Sequence, residues 1–153
     1  MMEGFVRNFI RASLVWLGIG VTIGVAMAFW PAHAIAYRTA HMHANLLGFV
    51  SMMIFGVAYH VIPRFSGAAL HGRGLARLHF LVANLGLALM VGGWIGRVTL
   101  PGASVLPLRA GAAFSGVGAG LFIYNLWRTL DAGAAATARR AERAPLVSVS
   151  TPH

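Results

Sequence analysis

The chain has 153 residues, 58% of them hydrophobic and only 10% charged, where a soluble domain carries about 25% charged residues. This is the composition of an integral membrane protein, with enough chain for one small bundle, and the absence of cysteine excludes disulfides, thiolate metal sites and iron–sulfur clusters. The formal charge of +9 comes from arginines that flank apolar runs, so it is read as topology and headgroup charge, and no nucleic-acid partner is expected.

Four runs lack charge over about the 20 residues that a bilayer crossing needs: Ala12–Trp30, Ala44–Ile62, Leu78–Gly96 and Ala110–Trp127. Barrel strands would alternate instead, so the expected fold is all-α, a four-helix transmembrane bundle. The first run follows Arg7 and Arg11 and precedes Ala32-His33-Ala34, which imitates a signal peptide. Its 19 residues exceed the 7–15 of a signal h-region, so it is expected to be a retained span. Nine arginines (Arg7, Arg11, Arg64, Arg73, Arg77, Arg128, Arg139, Arg140 and Arg143) fall on one side and three (Arg38, Arg97 and Arg109) on the other. The richer side is expected to be cytoplasmic, which puts both termini inside and makes this a multi-pass protein of a bacterial inner membrane. Small residues four apart, Gly20 and Gly24, Gly92 and Gly96, Gly116 and Gly120, are candidate helix-packing contacts. Pro63-Arg64 is expected to stop the second helix, and the Gly- and Arg-rich stretch Pro63–Arg77 to form an inner loop. Residues 1–130 then form the transmembrane domain. Residues 131–153 form an Ala/Arg-rich cytoplasmic tail, expected to be disordered past about Arg143.

The informative stretch runs from Arg38 to Gly67. A histidine in a bilayer-spanning helix is costly and marks a functional site by default. His41 and His43 are two residues apart, about 200° around a regular helix, so they face apart and cannot chelate one ion from one helix. His41, Asn45, Gly48, Met52, Phe55 and Tyr59 form one stripe, in which Gly48 leaves room for a flat or bulky partner. His43, Leu47, Val50, Ile54 and Val57 form another. Imidazole is the commonest protein metal ligand, so His41 and His43 are candidate metal ligands, and His33 is a candidate addition to that outer cluster. His60 and His79 flank the inner loop and are a candidate second metal pair. His71 is expected to be solvated in the loop. No Asp or Glu lies in any of the four runs, so no carboxylate proton path or carboxylate metal site is expected. Ser13, Ser51 and Ser115 have no acid to support a triad.

The segment Arg38-Thr-Ala-His41-Met-His43-Ala-Asn45-Leu-Leu-Gly48, followed by Tyr59-His60-Val-Ile-Pro63-Arg64, resembles the second transmembrane helix of subunit I of the haem–copper oxidase superfamily. It is most similar to the cbb3-type oxidases and membrane nitric oxide reductases, and to short subunit-I-like proteins. In the large enzymes a histidine near the outer end of that helix ligates the low-spin haem b. The spacing Arg-x-x-His matches it to His41; His-x-Asn-Leu-Leu, the longer match, fits His43. The resemblance implies haem b binding by one of these, with Asn45 beside it and Arg38 placed to neutralise a haem propionate. The large enzymes carry twelve or more helices, and their other haem and copper ligands lie on later ones. Four spans cannot supply that set, so a complete oxygen or nitric oxide reductase is not expected from this chain alone.

The expected function is therefore a membrane protein that binds haem b or a transition metal through these histidines, in electron transfer or gas and metal handling. One alternative is a homo-oligomeric copper or zinc site without haem, completed by a second copy. Another is a structural subunit of a larger respiratory or photosynthetic membrane complex.

Overall fold

The structure, a computed structural model, describes residues 3–143. It contains four rods, each long and apolar enough to cross a bilayer, and the described residues include no strand. Helix α1 runs Gly4–Phe29. Trp30 alone separates it from the second rod, where Pro31 opens α2, Pro31–His43. Proline cannot continue the first helix, and its fixed φ suits the first turn of the next. The second rod continues through a π-helical segment, Ala44–Ser51, into α3, Met52–Ser66. Helices α4, Arg73–Thr99, and α5, Leu106–Arg143, complete the bundle. Each of the four expected runs falls in one rod, save Trp30, the last residue of the first run, which lies between two rods.

The rods outlast their apolar runs. The second has 36 residues, about 54 Å of helix at ~1.5 Å per residue, against a hydrocarbon core of about 30 Å. Helix α5 likewise takes in the first part of the Ala/Arg-rich stretch, as far as Arg143, the last of the described residues. Alanine is the strongest helix former and arginine one of the better ones. The disorder expected past Arg143 concerns residues outside those described. Pro63 does not stop the second rod either. It lies inside α3, and the helix ends three residues later, where Gly67 takes a left-handed φ of +65°. So near the terminus proline forfeits one backbone bond at little further cost, and glycine is the actual terminator. The loop expected over Pro63–Arg77 is accordingly short, residues 67–72, between α3 and α4.

That loop is fastened by α5. The Gly72 N–H donates to Asn125 Oδ1 and the Gly72 carbonyl accepts from Asn125 Nδ2, both at 2.8 Å. The His71 N–H donates to Thr129 Oγ1 at 3.0 Å. Asn125 and Thr129 are fully buried, while the His71 side chain is exposed and lies edge-on to Tyr124.

Glycines set the helix contacts, though only one of the expected pairs does so. Gly20 and Gly24 admit the side chains of Asn45 and His41 from the second rod. Gly92, Gly96, Gly116 and Gly120 border open space within this chain. Helices α4 and α5 instead meet at Gly86 and Gly111: a Cβ on Gly111 would stand 2.6 Å from the Gly86 carbonyl oxygen, and one on Gly86 would stand 2.8 Å from the Ser115 nitrogen. Backbone cannot yield as a side-chain tip can. Gly86→Leu is therefore expected to lower stability by about 1–3 kcal/mol or more, whereas Gly116→Leu stays within about 0.5 kcal/mol of the parent. Thermal unfolding in detergent distinguishes the two.

Candidate functional site

The second rod presents His41 and His43 to different surroundings. His41 Nδ1 lies 2.9 Å from the Gly20 carbonyl oxygen of α1. A carbonyl only accepts, so Nδ1 carries the hydrogen. The ring fills the notch at Gly24, where a Cβ would come within 2.8 Å of His41 Cε1. Asn45 Nδ2 is 2.9 Å from the His41 backbone oxygen and 3.3 Å from His41 Nδ1. With Nδ1 already donating, the bond is to the backbone oxygen.

His43 turns outward. Its Nδ1 donates to the Thr39 carbonyl, one turn back in the same helix, at 2.8 Å. The Nε2 lone pair is left for another partner. The ring is half-buried and, with Met42, Leu46 and Leu47, borders a surface groove of about 280 Å³. Arg38 is exposed. His33 is also exposed and borders a separate recess with Ala26, Trp30 and Tyr37.

The two stripes behave as two faces. On the first, Gly48, Met52 and Tyr59 are buried and Phe55 packs against the core. The flat partner admitted by Gly48 is the indole of Trp16: a Cβ there would meet Trp16 Cγ at 2.7 Å. Trp16 in turn donates Nε1–H to Asn84 Oδ1 at 3.1 Å. On the second stripe, Val50, Ile54 and Val57 are exposed on the surface that lipid or another chain would cover.

His60 and His79, expected to pair, have different partners. His60 Nδ1 accepts from the Arg64 guanidinium at 3.0 Å, in an open recess that also includes Glu3 and Arg73; Arg73 is bridged to Glu3 at 2.9 Å. His79 is wholly buried. Its ring sits among Phe9, Phe55, Tyr59 and Phe122, at centroid distances of 4.9, 4.6, 5.8 and 5.6 Å. Its Nδ1 is 3.1 Å from the Tyr59 hydroxyl. Its Nε2 is buried and has no hydrogen-bond partner among the described residues. The His79 residue also borders a cavity of about 80 Å³ whose lining includes Ser51, Met52, Phe55, Ser115 and Ala119. The aromatic cage and the Tyr59–His79 bond escaped the sequence reading. The two residues are 20 apart and on different helices, and their only sequence signal is that each falls on an inward face.

Among the described residues, no three His, Asp or Glu side chains cluster closely enough to hold a metal ion. The π segment follows His43 directly and lines the His79 cavity through Leu47 and Ser51. Its wider winding shows in the Ser51 hydroxyl, which donates five residues back, to the Leu46 carbonyl, at 2.9 Å. Such segments are rare and recur at functional sites.

No family model matches the chain. The chain is similar to the Cbb3-type cytochrome c oxidase subunit CcoN1 of Stutzerimonas stutzeri, at 28% identity over 156 aligned positions. The alignment takes in 83% of this chain and 33% of that protein, so the chain spans about a third of the length of the curated relative it matches. The likeness reaches well beyond the stretch Arg38–Gly67. It supports a distant relation to a haem–copper oxidase subunit.

Removing one member of a buried hydrogen-bonded pair leaves the other unsatisfied, whereas replacing both by apolar groups is far cheaper. Tyr59→Phe is therefore expected to cost about 1–3 kcal/mol. Adding His79→Leu to Tyr59→Phe is expected to recover part of that loss. A double-mutant cycle by thermal unfolding measures the coupling.

Proposed function

We propose that this chain is a bacterial inner-membrane protein, a short and distant relative of haem–copper oxidase subunit I, with both termini in the cytoplasm. It holds haem b or a transition-metal ion at His43 and serves electron transfer or gas and metal handling as one component of a larger assembly.

The observation that carries this reading is the His43 ring. Histidines that ligate metals regularly donate their other ring N–H to a backbone carbonyl or carboxylate, which fixes the tautomer and orients the free nitrogen. The His43 Nδ1–H···O=C bond to Thr39 is such an arrangement, and it leaves Nε2 unprotonated at an outward groove. His41 is engaged differently, its ring wedged against α1 at Gly24, so its main work is to hold the two rods together. Arg38, exposed on the same helix, offers a guanidinium to an anionic group of a bound cofactor, and Asn45 steadies the helix beside the site. A bound haem or copper ion would supply one-electron chemistry near the outer membrane surface.

His43 is a single outward ligand, so the remaining ligands come from a second copy or a partner chain. The groove favours attention to the metal-ion form. At about 280 Å³ it lies below the roughly 300–1,000 Å³ of sites that enclose drug-sized ligands. A haem would need most of its faces covered by the other chain, while a copper or zinc ion between copies needs only nitrogen donors.

Oxidised and reduced optical spectra and elemental analysis on one purified sample test this. The expected result is a Soret band or bound metal near stoichiometry, falling about tenfold or more in His43→Ala and retained in folded His41→Ala. Neither haem nor metal in the parent, or unchanged content in His43→Ala, would sink the proposal.

A further inference from the structure

The cavity at His79 and the groove at His43 are separate spaces, with Leu47 on the wall of both. The cavity is a crevice between the π segment, which contributes Ser51, and α5, which contributes Ser115 and Ala119; Met52, Phe55 and His79 also line it. Ala119 is exposed and Ser51 half-exposed on the bundle surface, so the crevice is reached from the bilayer rather than from water. Its volume is about 80 Å³, roughly half that of the engineered apolar cavity of about 150 Å³ that takes up benzene. Its occupant therefore has few non-hydrogen atoms.

His79 lines this apolar space, and its Nε2 is fully buried with no hydrogen-bond partner among the described residues. Buried polar atoms in native proteins are nearly always satisfied. Its chemistry follows from its neighbour. Tyr59 and His79 share one hydrogen bond through Nδ1. The phenol is the stronger donor and the imidazole nitrogen the stronger acceptor, so the hydroxyl donates to Nδ1. Neutral imidazole then carries its own hydrogen on Nε2. The crevice therefore offers one N–H donor within an apolar wall. A metal cation is disfavoured, because a protonated Nε2 has no lone pair and the lining has no carboxylate to offset the loss of hydration. The two lining hydroxyls already donate elsewhere, Ser51 to the Leu46 carbonyl and Ser115 to Met90 Sδ.

We propose that the crevice between the π segment and α5 is a binding site for one small, neutral, lipid-soluble molecule with a hydrogen-bond acceptor, which takes the Nε2–H of His79. The matching class is a compact carbonyl compound or its isostere, entering from the bilayer past Ala119.

The protein in lipid nanodiscs, labelled with ¹⁵N-histidine, gives the readout, with acetone as probe and isobutene as its isostere lacking the acceptor. Acetone is expected to shift the His79 Nε2–H resonance saturably, and isobutene to leave it in place. Ala119→Leu fills the crevice from its exposed rim and is expected to weaken the acetone response about tenfold or more; Leu47→Phe is the second filling variant should the first fail to fold. Any one of four results overturns the proposal: no saturable shift with acetone, the same shift in a folded filling variant, a bound water on Nε2 that acetone does not displace, or stoichiometric copper or zinc lost in His79→Leu.

Discussion

Polar side chains within a bilayer must find partners inside the protein, because the hydrocarbon offers none. In this bundle that requirement decides where the helices touch. His41 donates to the Gly20 carbonyl of α1, an oxygen with lone pairs enough for its own helix bond and a second donor. Trp16 and Asn84 join α1 to α4. Tyr59 and His79 join α3 to α4. Asn125 and Thr129 join α5 to the loop ahead of α4. Apolar contact alone gives little preference for protein over lipid. These few bonds, with the glycines that let backbones approach, therefore carry much of the specificity of the packing.

The second rod divides two tasks between its faces. Its inward stripe holds the bundle together through His41, Asn45, Gly48, Met52 and Tyr59. Its outward stripe begins with His43 and continues with exposed aliphatic residues, a surface suited to another chain. A residue cannot serve both faces, which is why two histidines only two positions apart differ so sharply in surroundings. Between His43 and Tyr59 the helix widens into π winding over Ala44–Ser51. There the rod borders the crevice at His79.

The four spans were legible because bilayer thickness imposes a length and charge avoidance marks the ends. The opposed facing of His41 and His43 was legible because helical rotation is fixed. What the sequence concealed was which face meets which helix. The Gly92/Gly96 and Gly116/Gly120 pairs look like Gly20/Gly24 in sequence but border open space, while the contact between α4 and α5 is made by Gly86 and Gly111, which have no such partners four residues away. Asn125 and Thr129 read as ordinary helix residues, since their role depends on a loop more than 50 positions upstream. The aromatic cage around His79 draws on three other helices, and no local pattern announces it. Pro63 misled for a different reason: proline breaks helix interiors, but in a last turn the helix can absorb it.

The fastening of residues 71 and 72 by Asn125 and Thr129 has a bearing on biogenesis. A membrane chain enters the bilayer in order, and the loop between α3 and α4 emerges long before residue 125. Until the final helix arrives, the Gly72 N–H and the His71 N–H lack their native protein partners. The latch therefore closes only after all four rods are in place. A chain interrupted ahead of residue 125 would leave this loop unlatched.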